Sequence, residues 1–267
     1  MSAVTIDDHV LHYEAIGRGK PVLFLHGWLG SWRYWMSSME AIADKHRTYA
    51  LDLWGFGDSH HVEERYTIHD YVTLVDTFIK HMGIQEITIV GHALGAVVML
   101  EYAVRRPKRA HKLMAVSLPL SSRYLNHRLL NTAENALLSK LLWQWQHQVL
   151  PEEIQTEARK TDQQAIKLSL KSVGQLDPLA YVEHLGRAND PLLLAIHGER
   201  DNIVAPGPIL ELDGLWPTVR AIGLADSKHF PMLDEPVKFQ RLLKDFLDAE
   251  ADLSELAPKE IWYRRLR

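Results

Sequence analysis

Gly91-His92-Ala93-Leu94-Gly95 is the stretch that decides the fold. It follows a β-type run, Ile87-Thr88-Ile89-Val90, and leads into Ala96-Val97-Val98-Met99-Leu100-Glu101-Tyr102-Ala103, a run that suits a buried helix. Strand, tight turn and helix, with glycine first and fifth in the turn, is the setting of a nucleophile elbow, G-x-S-x-G. There the middle side chain is lifted to the top of a parallel sheet. Glycines at 91 and 95 suit the crowding of such a turn, where a β-carbon would meet the neighbouring strand and helix. At position 93 the lifted side chain is a methyl group, which cannot attack a carbonyl carbon.

Outward from this turn, short β-type runs alternate with longer helical ones, the pattern of a mostly parallel sheet flanked by helices. Residues 4–6 and 10–14, parted by Asp7-Asp8, read as an antiparallel hairpin. Gly17-Arg18-Gly19-Lys20 then turns the chain into an apolar strand over 21–25, of the kind buried on both faces. These glycines lack the G-x-x-x-x-G-K-[ST] spacing of a phosphate loop. Further strands are expected at 48–53, 87–90, 112–116, 192–196 and 219–224, giving an eight-stranded α/β sheet. Helices are expected at 32–45, 68–82, 94–106 and 237–247.

Residues 121–188 break the alternation with helical segments and almost no β signal. They read as a helical cap inserted after the sixth strand of a core made of residues 1–120 and 189–267. Within the cap, Trp143 and Trp145 are two apart, so a helix would aim them to nearly opposite sides. The charged stretch 249–267, with Trp262 and Tyr263, reads as a surface tail, and Arg264, Arg265 and Arg267 as its solvated basic end.

At 267 residues the chain can bury one large core. Its net charge is −4 with both signs intermixed, so nothing suggests a nucleic-acid footprint. The absence of cysteine excludes disulfides, a thiol nucleophile and thiolate metal sites. The first residues, Met1-Ser2-Ala3-Val4-Thr5-Ile6, lack a basic region followed by an apolar stretch, and no apolar run approaches the ~20 residues of a membrane span. The expectation is a cytoplasmic protein with a small-molecule substrate or ligand; oligomeric state is not legible.

Three further segments carry chemistry-bearing residues at predicted strand ends: His26-Gly27-Trp28-Leu29-Gly30, His197-Gly198-Glu199-Arg200-Asp201, and Ser227-Lys228-His229-Phe230. Open α/β sheets bind ligands at the carboxyl ends of their strands, and all four segments lie there. In this order they resemble the α/β-hydrolase family over nearly the whole chain. The resemblance implies that Ala93 holds the nucleophile's seat, Asp201 the orienting carboxylate's and His229 the general base's. It implies an oxyanion hole built from the backbone N–H groups of Trp28 and Leu94. Gly27, Gly91 and Gly95 would be structural supports, His26 would brace the oxyanion loop, and no metal or cofactor is implied.

Other candidates read as structure. Asp52-Leu53-Trp54-Gly55-Phe56-Gly57-Asp58-Ser59 resembles the family's D-x-x-G-x-G-x-S loop, with Trp54 and Phe56 either bordering the pocket or packing. His92 reads as core or loop support. The pair His60-His61, with Glu63 and Glu64, lacks ligand spacing for a metal. Ser117 ends a different strand and is a poor replacement nucleophile.

The resemblance implies an ancestral hydrolysis of a small ester, amide or related carbonyl substrate. With Ala93 the acyl-enzyme route is absent or very slow, and three explanations compete. The alanine is an engineered replacement of serine; or His229 and Asp201 act directly as a general base; or the chain is a non-catalytic binding protein. The second has precedent in the family's cofactor-free dioxygenases and in aminoacrylate hydrolases that carry G-H-A-L-G. The aspartate nucleophile of the dehalogenases and epoxide hydrolases is excluded by inspection of position 93.

Overall fold

Backbone hydrogen bonds gather the β-type runs into one sheet in a computed structural model, which describes residues 2–125 and 152–258. Trp143, Trp145, Trp262, Tyr263 and the basic end at Arg264, Arg265 and Arg267 lie outside the described residues. In chain order the elements are β1 (Ser2–Ile6), β2 (His9–Gly17), β3 (Lys20–Leu25), α1 (Met36–Ile42), β4 (His46–Leu51), α2 (Ile68–His81), β5 (Ile87–His92), α3 (Leu94–Arg105) and β6 (Ala110–Val116). Then come α4 (Glu152–Ala158), α5 (Gln163–Val173), α6 (Pro178–Ala188), β7 (Leu192–Gly198), α7 (Gly207–Leu210), β8 (Val219–Leu224), α8 (Pro231–Asp234) and α9 (Pro236–Asp248). The sheet order is β1-β2-β4-β3-β5-β6-β7-β8, antiparallel where β2 meets β1 and β4 and parallel elsewhere.

This order sets where a ligand is expected to bind. From β3 the chain steps outward to β4 on one side, whereas β5 to β8 succeed one another on the other side. The gap above β3 and β5 is therefore a topological switch point, where open α/β sheets take ligands. β3 and β7 read as unbroken apolar runs because they are buried on both faces: Val22 to Leu25 are fully buried, and every residue of β7 is buried too.

The helices form for local reasons. α2 opens on a capping box, Thr67 accepting from the Asp70 N–H while the Asp70 carboxylate accepts from the Thr67 N–H. It buries Ile68, Tyr71, Val72, Val75, Phe78 and Ile79 at helical spacing. α3 is buried from Leu94 to Ala103, and so is apolar all round until Glu101, whose carboxylate pairs with Arg105 at 2.6 Å.

Four sequence expectations need correction. Residues 32–45 do not form one helix: a 3-10 turn over Trp32–Trp35 precedes α1. The Trp32 N–H donates to Asp52 Oδ1 at 2.8 Å and the Arg33 N–H to Ser31 Oγ at 3.2 Å, which tightens the first turn. β5 and β7 run on to His92 and Gly198, residues that read as loop because of their glycines. The short α7 and α8 were not among the expected helices. Part of the tail is core, with Leu253 and Leu256 buried and the Leu256 carbonyl accepting from Arg220 Nε at 3.2 Å.

The described chain between β6 and β7 is helical and fastened to the sheet domain. The Trp28 indole N–H donates to Ser169 Oγ at 2.9 Å, the Asp162 N–H to the Gly55 carbonyl at 2.8 Å, and the Tyr66 hydroxyl to Asp162 at 2.7 Å. A closed ring of charge completes the attachment. Arg33 reaches Asp58 and Glu157, both at 2.9 Å, and Lys160 reaches the same carboxylates at 2.7 and 3.2 Å. Partial burial alone would raise the Asp58 carboxyl, but hydrogen bonds from Lys160 and Arg33 outweigh it and hold the group at about 2. A depressed carboxyl contributes stability that is present above its unfolded value and lost as pH falls through its folded value. Asp58→Asn is therefore expected to lose less stability than the parent chain between about pH 4 and pH 2, followed by urea melts at each pH. The difference should be modest, since Arg33 and Lys160 are 36% exposed and solvent screens them. Identical pH profiles would mean that the ring adds nothing to acid stability.

Candidate active site

Ala93 stands between β5 and α3 with φ 47° and ψ −106°, a left-handed conformation rarely adopted by a residue with a side chain. Such a backbone costs on the order of 1–3 kcal/mol and persists only where its surroundings over-determine it. Here they do. The Ala93 N–H extends the β5 ladder to the Val116 carbonyl at 2.9 Å, while its own carbonyl accepts from Ala96 and Val97 to open α3. A β-carbon on Gly91 would lie 2.6 Å from the Gly95 carbonyl carbon, and one on Gly95 would lie 2.8 Å from the His26 oxygen. Both glycines are required because the turn is squeezed between α3 and the end of β3.

The loop after β3 is organised by His26, which is fully buried. Its Nε2 accepts from the Leu53 N–H at 2.9 Å, so Nδ1 carries the proton and donates to the Gly27 carbonyl at 2.8 Å. Burial pushes its pKa down, against the pull of Asp52, and keeps the ring neutral in that tautomer. The Gly30 N–H donates to the same carbonyl at 3.1 Å. A trans peptide points its N–H opposite its C=O, so fixing the Gly27 oxygen also fixes the Trp28 N–H. A β-carbon on Gly27 would be 3.1 Å from that of Ala93, so the loop lies against the elbow. Among the described residues neither the Trp28 nor the Leu94 amide has an acceptor. Leu94 is the first residue of α3, where amides lack intrahelical partners and favour negative charge.

Asp201 and His229 meet from the loops after β7 and β8. His229 Nδ1 lies 2.8 Å from Asp201 Oδ2. Asp201 Oδ1 accepts from the Ile203 and Val204 amides at 2.8 and 3.0 Å, which locks the carboxylate's orientation. Burial alone would raise the Asp201 carboxyl; His229 and His197 outweigh it and hold it well below the usual carboxylate range. An ionised Asp201 can only accept, so His229 Nδ1 carries a proton and Nε2 is bare when the ring is neutral.

Three participants are not legible in the sequence. His197 Nε2 lies 3.2 Å from Asp201 Oδ2 and 3.1 Å from the Val204 carbonyl, donating to both. Ser117, directly after β6, has φ 48° and donates its hydroxyl to the His229 carbonyl at 3.0 Å. Tyr34, inside a run that reads as helix, accepts the Gly27 N–H at 2.6 Å and lies 3.0 Å from His92 Nδ1. The one signal for Tyr34 is a phenol in an apolar run, since a buried tyrosine hydroxyl needs a partner. His92 is the loop support expected of it: its Nε2 lies 2.9 Å from the His229 carbonyl and its ring 4.7 Å from that of His229.

The Asp52 loop is structural, with Trp54 and Phe56 in the core. Asp52 accepts from Trp32 and Asp58 amides, both at 2.8 Å, and from His12 Nδ1 at 2.9 Å. His12, Asp52 and Asp58 offer ligand atoms within 4.8 Å of one another. Arg33 and Lys160 already neutralise Asp58, so a cation there would meet two positive neighbours. His60 Nδ1 accepts the Val10 N–H at 3.2 Å, and His61 lies 3.8 Å from Asp162.

Comparison with known proteins agrees with the fold. A family model described as the alpha/beta hydrolase fold matches residues 20–172. The chain is 28% identical over 250 residues to the putative carbamate hydrolase RutD of Pseudomonas savastanoi pv. phaseolicola, covering 86% of this chain and 95% of that protein. It is 32% identical over 98 residues to a soluble epoxide hydrolase of Corynebacterium sp., a match spanning 37% of this chain and about a third, 34%, of that protein's length. The enol-lactonase of Burkholderia xenovorans LB400 superposes with a TM-score of 0.78 at 18% identity, covering 93% of this chain and all of that one.

Proposed function

This chain belongs to the α/β-hydrolase family, and on that premise we propose that it hydrolyses a small ester, amide or related carbonyl compound without an acyl-enzyme, using Asp201 and His229 as a general base toward water. The observation that carries the proposal is the intact 2.8 Å contact between His229 Nδ1 and Asp201 beside a seat that holds only the Ala93 methyl.

The substrate's carbonyl oxygen would sit at the Trp28 and Leu94 amides, where charge develops as the carbon becomes tetrahedral. His229 Nε2 takes a proton from water as its oxygen bonds to that carbon. The imidazolium so formed is stabilised by Asp201 and returns the proton to the leaving group as the tetrahedral species collapses. The helices α4 to α6 act as a cap over this crevice. The relative named a putative carbamate hydrolase supports placing small carbamates beside esters and amides in the substrate class. No described helix is long and apolar enough to cross a membrane; a cytoplasmic reaction belongs to the same proposal.

The test is turnover of short-chain p-nitrophenyl esters and small carbamates by the parent chain and His229→Ala. We expect slow, saturable turnover that falls about 10²-fold or more in the variant. A second reading, a binding protein, is favoured by the buried methyl at position 93. It predicts saturable ligand binding without turnover, and that result would replace the first.

A further inference from the structure

The seat, the oxyanion amides and the Asp201–His229 pair come from different loops, so something must hold those loops in register. A chain of hydrogen bonds runs from the first loop to the last. The Gly27 N–H donates to the Tyr34 oxygen at 2.6 Å, Tyr34 lies 3.0 Å from His92 Nδ1, and His92 Nε2 lies 2.9 Å from the His229 carbonyl. Chemistry fixes the direction of every bond. A carbonyl only accepts, so His92 Nε2 carries the proton at its end of the chain. Burial, reinforced by the neighbouring His229, drives the His92 pKa well below the ordinary value, so the ring is neutral and Nδ1 is a bare acceptor. The Tyr34 hydroxyl must then donate to His92 and receive the Gly27 amide on its oxygen. Its burial holds the phenol protonated, with a pKa well above the ordinary one. Bonds aligned in one direction polarise one another and act as a unit.

We propose that Tyr34 is a positioning residue that selects which amide of the His26–Gly30 loop faces the substrate and, through His92, sets the position of the general base. It does the first by engaging the Gly27 N–H. With the Gly27 carbonyl already held by His26 and Gly30, both sides of that glycine are committed, which fixes the orientation of the peptide that carries the Trp28 N–H. It does the second by orienting His92, which together with Ser117 places two donors on the His229 carbonyl. The Tyr34 ring is 5% exposed and packs edge-on against His92 and Phe230, so the hydroxyl has little room to turn away. This assignment rests on the proposed roles of Trp28 and His229.

Two readouts separate its failure from failure of that reading. The first needs no activity: nitrogen NMR of the 15N-histidine-labelled parent chain. In Tyr34→Phe the His92 Nδ1 signal should shift as it loses its donor, and the His229 ring signals should shift with it. His229 signals that stay in place would overturn the proposal, because a relay that ends at His92 does not position the base. The second readout is the rate of fluorophosphonate labelling in an Ala93→Ser background. Adding Tyr34→Phe should lower that rate about 10- to 100-fold, the size expected when reacting groups are displaced by a fraction of an ångström to an ångström. A rate within about twofold of the background would overturn the proposal as well. If the serine background itself is not labelled, the catalytic reading fails while the NMR result still decides whether Tyr34 controls His229. Should Tyr34→Phe not fold, His92→Gln cuts the same relay one residue further on, and His229 signals left unmoved by that change would equally overturn the proposal.

Discussion

Ala93→Ser is expected to turn a chain that is inert to fluorophosphonates into one that is labelled stoichiometrically at residue 93. The elbow already holds the conformation a serine would need, with φ 47° imposed by its bonds to Val116, Ala96 and Val97. The proposed general base is oriented for this: Asp201 is held by two amides and accepts from His229 Nδ1, which leaves Nε2 bare when the ring is neutral. A triad nucleophile accounts for up to about 10⁶ in kcat, and the scaffold without it retains on the order of 10³ to 10⁴ over water. A gain of on the order of 10³-fold or more in ester kcat/KM is therefore expected, and adding Asp201→Asn should remove most of it. A serine variant that folds as the parent does, by circular dichroism and melting, yet stays unlabelled would mean that His229 does not reach the seat.

The second large effect concerns stability. Gly95→Ala is expected to destabilise the protein by about 3 kcal/mol or more, or to prevent its accumulation in soluble form. The added carbon would sit 2.7 Å from the Leu25 carbonyl carbon and 2.8 Å from the His26 oxygen. These are backbone atoms of β3 and the loop that follows, so no rotamer change relieves the clash. It would also push apart the Gly95 N–H and the His26 carbonyl, now bonded at 3.1 Å. Gly207→Ala is the control, because nothing lies within 4 Å of a β-carbon there. Its melt should stay within about 0.5 kcal/mol of the parent. Equal stability of the two variants would mean that the turn is far looser than its contacts indicate.

The elbow and the three other strand-end segments were legible because each depends on local chemistry: an apolar run that ends in polar or glycine residues. The mostly parallel eight-stranded sheet was legible for the same reason, since alternating strands and helices admit few architectures, whereas the order of its strands was not. What escaped depends on partners distant in sequence. Tyr34 gains its role from Gly27 and His92, 7 and 58 residues away. Ser117 gains its role from a carbonyl 112 residues on. The break between Trp32–Trp35 and α1 follows from the Asp52 carboxylate, 20 residues from the amide it captures. Leu253 and Leu256 read as tail because charged neighbours mask two apolar residues that the sheet domain buries. Helical periodicity and turn propensity carry none of this, because the deciding groups are hydroxyls and carboxylates, whose partners only the fold selects.

The two left-handed residues, Ala93 and Ser117, have a joint consequence. Each follows directly on a strand and each keeps its N–H in the ladder, Ala93 to the Val116 carbonyl and Ser117 to the Ile196 carbonyl, both at 2.9 Å. Because His92 is in register with Val116, the two residues sit side by side on adjacent strands. The sheet thus works as a gauge block: the step from the seat to the anchor beneath His229 is one strand spacing, about 4.8 Å, a dimension that loop sequence cannot change. Variation in the loops and in the segment between β6 and β7 leaves that spacing unchanged. The spacing between Ala93 and the residue that holds the His229 carbonyl is machined into the sheet.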